Sequence, residues 1–221
     1  MEFIDLSSQQ KLIRDKIETN IKKVLDHGKY IMGPEVKELE EKLADFVGVK
    51  YAIGCSSGTD ALLMSLMSYD VGYGDYIITT SFTFIATAEV ISLLGAKPIF
   101  VDIDERTYNI DPDRIEDFLK DPIDPVTNKV IDLDKIKGII PVDIFGLPTN
   151  YDKINEIAKR YNLFVVEDAA QSFGAEYKGK KACSLSDIGC TSFFPAKPLG
   201  CYGDGGMVFT DDEDIAADNC L

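Results

Sequence analysis

The sequence predicts an α/β domain built on a mainly parallel, mixed sheet of about seven strands with helices on both faces. Two observations carry this expectation. Beyond Lys50, short apolar runs of strand length alternate with helical stretches, the order that parallel β-α-β units require. Several of those runs, such as Leu163-Phe164-Val165-Val166, are apolar without alternation, as strands covered on both faces are.

The elements follow in chain order. From Gln9 to His27 the residues Leu12, Ile13, Ile17, Ile21, Val24 and Leu25 recur at near-helical spacing, and Gly28 stops the run. A second amphipathic helix starts at Pro34, with Val36, Leu39, Leu43 and Phe46 on one face. Strands are expected at Tyr51–Gly54, Tyr76–Thr79, Lys97–Val101, Gly138–Val142, Leu163–Glu167, Ile188–Phe193 and Met207–Thr210. Helices are expected between them at Asp60–Met67, Ile85–Leu94, Pro112–Leu119 and Tyr151–Tyr161. The segment Lys120–Lys135, rich in acids and holding two prolines, reads as an exposed loop, and no internal repeat is evident. Acidic residues from Asp211 to Asp218 follow the last strand, and the chain stops in what reads as a helix, an ending expected to be truncated. Residues 1–33 are expected to form an N-terminal helical segment and residues 34–221 one large domain.

Bulk properties remove several function classes. A net charge of -15 leaves no basic stripe for nucleic acid. His27 is the single histidine, so Ser-His-Asp triads, HExxH sites and multi-histidine metal sites are excluded, and no metal is expected. Five cysteines without a CxxC pair, and no cleavable leader at Met1-Glu2-Phe3-Ile4-Asp5, point to a reducing cytoplasm. No apolar run is long enough to span a bilayer, so no membrane partner is expected.

Four segments carry chemistry, each at an expected strand end. Lys197 lies in Phe194-Pro195-Ala196-Lys197-Pro198-Leu199-Gly200-Cys201-Tyr202-Gly203-Asp204-Gly205-Gly206, where four glycines permit sharp turns or close approach to a flat ligand. A lysine in partly apolar surroundings there can lose its proton and form a Schiff base. Alone, the segment reads better as a solvated loop lysine before a proline. Ser56-Ser57-Gly58-Thr59-Asp60 precedes a helix, whose unpaired amides and dipole suit a phosphate; an ordinary N-cap is the plainer reading. Asp168 ends an apolar strand where a carboxylate can meet a cationic group, or else cap a helix, and Gln171 follows one helical turn later. Thr80-Ser81-Phe82-Thr83-Phe84-Ile85-Ala86-Thr87 offers an aromatic that can stack on a heterocycle, with Phe82 assigned to core packing. An amine, an acid, a phosphate cradle and a stacking ring are the set that pyridoxal 5'-phosphate asks for.

In order and spacing these segments resemble the DegT/StrS-type nucleotide-sugar aminotransferases, which have the aspartate-aminotransferase fold. The resemblance runs from Phe3-Ile4-Asp5-Leu6 through Gly33-Pro34-Glu35-Val36, Ser57-Gly58-Thr59-Asp60-Ala61-Leu62 and Gly95-Ala96-Lys97-Pro98-Ile99-Phe100-Val101-Asp102. It continues through Glu167-Asp168-Ala169-Ala170-Gln171 to the Lys197 segment. It implies that Lys197 bonds the cofactor and shuttles a proton, and that Asp168 pairs with the pyridinium nitrogen. Gln171 would then lie beside the phenolic oxygen, Phe84 would stack, and Gly58, Thr59 and Ser192 would contact the phosphate. The Lys197 segment is most similar to enzymes that aminate UDP-2-acetamido-2-deoxy-3-oxo-glucuronate. That implies a UDP-linked keto sugar as acceptor, glutamate as donor, polysaccharide or lipopolysaccharide biosynthesis, and a homodimer. Relatives with histidine in place of the lysine are sugar dehydratases, so Lys197 favours the transaminase branch; a non-catalytic regulator on the same fold is the other alternative. Family members are longer and carry a C-terminal small domain absent from this chain. Asp143 stands where many relatives have histidine or serine, which leaves its part in the sugar pocket open. None of Arg14, Arg106, Arg114 and Arg160 lies in the four segments, so a substrate carboxylate is expected to be held from elsewhere.

Overall fold

A computed structural model describes residues 4–219; Met1, Glu2 and Phe3, named above, and Cys220, one of the five cysteines counted, lie outside them. Helix α1 (Leu6–His27) begins where the Asp5 carboxylate accepts the Ser8 N–H at 2.9 Å and ends at Gly28, whose φ of 68° suits a residue without Cβ. Its periodic stripe forms the helix as expected, yet none of its residues is buried, and Leu12, Ile21 and Leu25 stay exposed. Helix α2 (Pro34–Val47) starts on its proline and stops at Gly48. It buries Leu43, Ala44 and Val47, while Leu39 and Phe46, expected on the same face, stay exposed.

The remaining chain forms β1 (Tyr51–Cys55), α3 (Gly58–Met67), β2 (Tyr76–Thr80), α4 (Ala86–Leu93), β3 (Lys97–Val101), α5 (Pro112–Lys120), β4 (Ile136–Ile139) and α6 (Tyr151–Tyr161). These are followed by β5 (Phe164–Asp168), a small hairpin of β6 (Glu176–Tyr177) and β7 (Lys180–Lys181), β8 (Ile188–Ser192), β9 (Gly206–Thr210) and α7 (Glu213–Asp218). Seven strands make one sheet in the order β1-β9-β8-β5-β4-β2-β3. β9 runs antiparallel to both neighbours and the other pairs are parallel. The expected α/β class and mainly parallel mixed sheet hold.

Alternation along each strand divides the core into two layers. Ile77 and Val166 meet α3 and α4 through Leu62, Leu66, Val90 and Ile91. Their neighbours Ile78 and Val165 face α5 and α6 through Ile115, Leu119, Ile154 and Ile157. Helix α2 continues that second layer over β9, packing Leu43 and Val47 with Met207 and Phe209. Each such fully buried aliphatic chain stabilises the fold by roughly 1.5–3 kcal/mol, so the sheet is a rigid platform for whatever its strand ends carry.

Two sequence expectations change. The strand placed at Gly138–Val142 is Ile136–Ile139, because Pro141 has no N–H to continue the ladder. The chain rejoins β5 one step later, where Pro141 C=O accepts from Asp168 N–H and Asp143 N–H donates to Asp168 C=O. The segment read as an exposed loop is exposed over most of its length, as expected, but it repeats a hairpin found upstream. Asp104 and Asp124 each accept two amides on one carboxylate oxygen, those of Arg106 and Thr107 and those of Val126 and Thr127. Four residues on, Tyr108 and Asn128 adopt positive φ. The shared pattern Ile-Asp-x-x-Thr was present in the sequence, and the absence of a repeat was a misreading.

Candidate active site

One edge of the sheet gathers the chemistry. The register pairs Cys55 with Gly206 and Gly206 with Ser192, so the end of β1, the start of β9 and the end of β8 lie side by side. β5 runs parallel to β8 with Asp168 opposite Cys190, and β2 brings Thr80 to the same edge through the parallel β4. Open parallel sheets hold ligands beyond these carboxyl ends. A cavity of about 610 Å³ lies there, lined by Ser57, Gly58, Thr59, Thr83, Phe84, Asp168, Gln171, Ser192 and Lys197 among others. All seven residues singled out from the sequence therefore line one cavity. A second cleft of about 550 Å³, between α2, β1 and α7, contains none of them.

The cradle is built by close packing. A Cβ on Gly58 would lie 2.7 Å from the Ser192 Cβ, and one on Gly206 would lie 2.3 Å from the Ser57 carbonyl oxygen. Glycine at both positions lets the start of α3 lie against the end of β8. The Ser57 hydroxyl caps α3 by accepting Asp60 N–H at 3.1 Å, while the Asp60 carboxylate accepts from the Ser56 and Ser57 hydroxyls. Those hydroxyls are thus committed to the cap. The Gly58 and Thr59 amides have no acceptor among the described residues and are free for an anion at the positive end of the helix.

Lys197 sits in a tight loop: its N–H donates to Phe194 C=O at 2.8 Å, and Phe193 closes the loop's base through Gly205 and Cys201. Of the four glycines noted in the sequence, Gly200 and Gly206 are required by close approach, a Cβ on Gly200 falling 2.4 Å from the Pro195 oxygen. Gly203 meets nothing. Burial of the half-exposed Lys197 amine pulls its pKa down, and the Asp168 charge only partly opposes that. An amine so placed is closer to its neutral, nucleophilic form.

Asp168 and its neighbour Glu167 take opposite faces of β5. Glu167 is buried and accepts Cys183 N–H at 2.7 Å and Leu185 N–H at 3.2 Å; burial and the Asp143 charge push its pKa well up. Asp168 reaches the cavity, accepting the Thr87 hydroxyl at 2.8 Å and Ala170 N–H at 3.2 Å. Burial pushes its pKa up, while Thr87, Ala170 and Lys197 pull it back. Thr87 was not singled out from the sequence. Its spacing of four from Thr83, at a helix start behind a strand end, was the available signal.

Three further expectations resolve. Phe84 stands exposed at the cavity, as stacking requires. Phe82 is not a core residue: it is exposed on the rim, 5.6 Å from Tyr108 and 5.9 Å from Phe145 between ring centres, because the turn after β2 carries it outside both layers. Asp143 does not line the cavity although Val142 and Ile144 do. It is wholly buried and accepts Thr149 N–H, the Thr149, Tyr151 and Ser172 hydroxyls, and burial pushes its pKa up to about 6. Lys197 is the only lysine or arginine among the lining residues; Arg14, Arg114 and Arg160 pair with acids on their own or neighbouring helices.

The chain can now be set beside known proteins. Residues 11–220 match the model of the DegT/DnrJ/EryC1/StrS aminotransferase family. A Pseudomonas aeruginosa protein named UDP-2-acetamido-2-deoxy-3-oxo-D-glucuronate aminotransferase is 56% identical over 98% of this chain and 56% of its own length. Among solved structures, a DegT DnrJ EryC1 StrS aminotransferase from Brucella abortus is similar with a TM-score of 0.90 and 45% identity, over 98% of this chain and 57% of that one. A Bacillus subtilis protein, ntda, solved with bound cofactor PMP, is similar with a TM-score of 0.81 and 35% identity, over 93% and 43%. The chain thus spans about half the length of the proteins it matches. It belongs to the DegT/DnrJ/EryC1/StrS aminotransferase family.

Proposed function

We propose that the protein is a pyridoxal-phosphate-dependent aminotransferase that moves an amino group from glutamate to a UDP-linked 3-keto sugar, for polysaccharide or lipopolysaccharide assembly in the cytoplasm. The observation that carries this is the meeting of Lys197 and Asp168 in one cavity with the free Gly58 and Thr59 amides. The donor set fits the cofactor part by part: an amine for its aldehyde, a buried acid for its ring nitrogen, helix-start amides for its phosphate and an aromatic face for its ring. A Cβ at Gly58 would fill that cradle.

When bound, the cofactor supplies an aldehyde and a cationic ring that takes up an electron pair. The remaining tasks at the cofactor fall to side chains and backbone amides of this protein. The Lys197 amine would hold the cofactor through its aldehyde carbon and, when free, would carry the α-proton as general base and acid. Asp168 holds the proton on the ring nitrogen, so the positive charge persists where electrons collect. Gly58 and Thr59 amides and the Ser192 hydroxyl would hold the phosphate, Phe84 would stack on the ring, and Gln171 would lie beside the phenolic oxygen. Residues 34–221 act as the cofactor-binding unit and residues 1–33 as an appended arm. With no arginine lining the cavity, donor and sugar carboxylates are held from outside it, in a homodimer by the second copy.

Lysine at 197 rather than histidine separates this reading from sugar dehydration. His27, the single histidine, lies at the end of α1 against Glu35. Incubation of the protein with the UDP-3-keto sugar, with and without glutamate, tests the proposal. An amino sugar formed only with glutamate is the expected product; a deoxy sugar, or no turnover with cofactor bound, contradicts it.

A further inference from the structure

The hydrogen bonds around Asp168 form a chain with a fixed direction. Thr87 is fully buried in α4, and its hydroxyl donates to Asp168 Oδ2 at 2.8 Å. The Thr83 and Thr87 hydroxyl oxygens lie 2.8 Å apart. A hydroxyl has one proton to give, and Thr87 spends it on the carboxylate; Thr83 must therefore donate to Thr87. Thr83 lines the cavity, so the chain runs from the cavity wall through α4 to the acid, and Thr83 is left with lone pairs alone toward the cavity. The other Asp168 oxygen accepts Ala170 N–H at 3.2 Å. One partner thus comes from the turn after β5 and one from a helix that sequence places eighty-one residues earlier.

That arrangement has a chemical consequence. A buried carboxylate loses hydration and tends to take a proton. Donors on both oxygens favour the charged acceptor form and fix the plane of the group. The backbone donor is present whatever side chain stands at 170, whereas the Thr87 hydroxyl is the removable half of the support. A β-branched residue in a helix is held to few χ1 rotamers, so the hydroxyl is aimed before any ligand arrives.

We propose that Thr87 is a positioning residue for the reaction, its hydroxyl aiming the Asp168 carboxylate at the cofactor's ring nitrogen and keeping it an acceptor there. This rests on the functional reading above. Thr87 does not touch the ligand; it acts through Asp168.

The test compares Thr87→Val, which keeps shape and removes the hydroxyl, with Thr87→Ser, which keeps the hydroxyl. Purified protein is titrated with pyridoxal phosphate labelled with ¹⁵N in the ring, and affinity and the ring-nitrogen resonance are read together. Thr87→Val is expected to bind roughly tenfold more weakly and to move the resonance toward that of an unprotonated pyridine. Thr87→Ser is expected to stay near wild type in both. A loss of packing alone would lower the unfolding temperature without moving the resonance, and a wild-type resonance and affinity in Thr87→Val overturns the proposal. If the valine variant does not fold, Thr87→Cys, similar in size with only a weak S–H donor, supplies the same comparison. Wild-type protein that never takes the cofactor onto Lys197 overturns the functional reading and this proposal together. Cofactor bound by wild type and Thr87→Val alike removes the positioning role alone.

Discussion

Two buried aspartates stand at neighbouring strand ends, bonded backbone to backbone, and their surroundings differ. Asp143, after β4, accepts four donors from Thr149, Tyr151 and Ser172 and does not line the cavity. Asp168, at the end of β5, accepts two and opens onto the cavity that holds Lys197. Burial raises both pKa values, so a perturbed acid does not by itself mark a catalytic site. What marks it is unspent hydrogen-bonding capacity facing a space where a ligand fits. Asp143 clamps the 143–149 turn to the segment after β5, and Asp168 is left to meet something from outside.

That comparison can be broken by exchanging losses. Asp168→Ala is expected to lower transamination by roughly 10³-fold or more, since it removes the group that stabilises charge on the ring; steady-state kinetics on folded protein measure this. Asp143→Ala is expected to leave cofactor affinity within a few-fold but to cost about 3 kcal/mol of stability, because Thr149 N–H and three hydroxyls lose a buried acceptor. Denaturant unfolding reads that cost. If Asp143→Ala instead abolished cofactor binding in a folded protein, the assigned division of labour would be wrong.

A finer contrast lies in pH. Asp143 has a folded pKa of about 6, above the ordinary carboxylate value of 3.8. Its contribution to stability is therefore fully present below about pH 4 and is lost as pH rises toward 6. The slope is about 1.4 kcal/mol per pH unit for one proton. Asp143→Asn should remove that component between those pH values, leaving whatever Glu167 and Asp168 contribute in the same direction. An unchanged slope would show that the carboxyl does not titrate there. The smallest effect concerns the cradle: Gly58→Ala must displace Ser192 by several tenths of an ångström and is expected to weaken pyridoxal phosphate binding about tenfold, read by titration of the apoprotein.

Much of this was legible before any coordinates. Unalternated apolar runs gave the covered strands, Gly28 gave the end of α1 and Pro34 the start of α2, while α1 begins at Leu6, before its apolar stripe does. The seven candidate residues were legible because each sits at a strand end, where parallel topology converges. Partnerships across the fold were hidden. Nothing local tells that Thr87 reaches Asp168, or that Asp143 is enclosed, because period reveals which face a residue takes and not what it meets there. Phe82 was misassigned for the same reason: an aromatic two residues beyond a strand reads as core, but the turn carries it to the rim with Tyr108 and Phe145. The exposed stripe of α1 is the reverse case, an amphipathic pattern that forms its helix without burying it.

The central claim is that Lys197 is the amine that bonds pyridoxal phosphate. Borohydride reduction of the protein loaded with cofactor, followed by peptide mapping, tests it most directly. The account predicts a single stable label on the peptide carrying Lys197, absent from Lys197→Ala. A label on another lysine, or equal labelling in that variant, would contradict it.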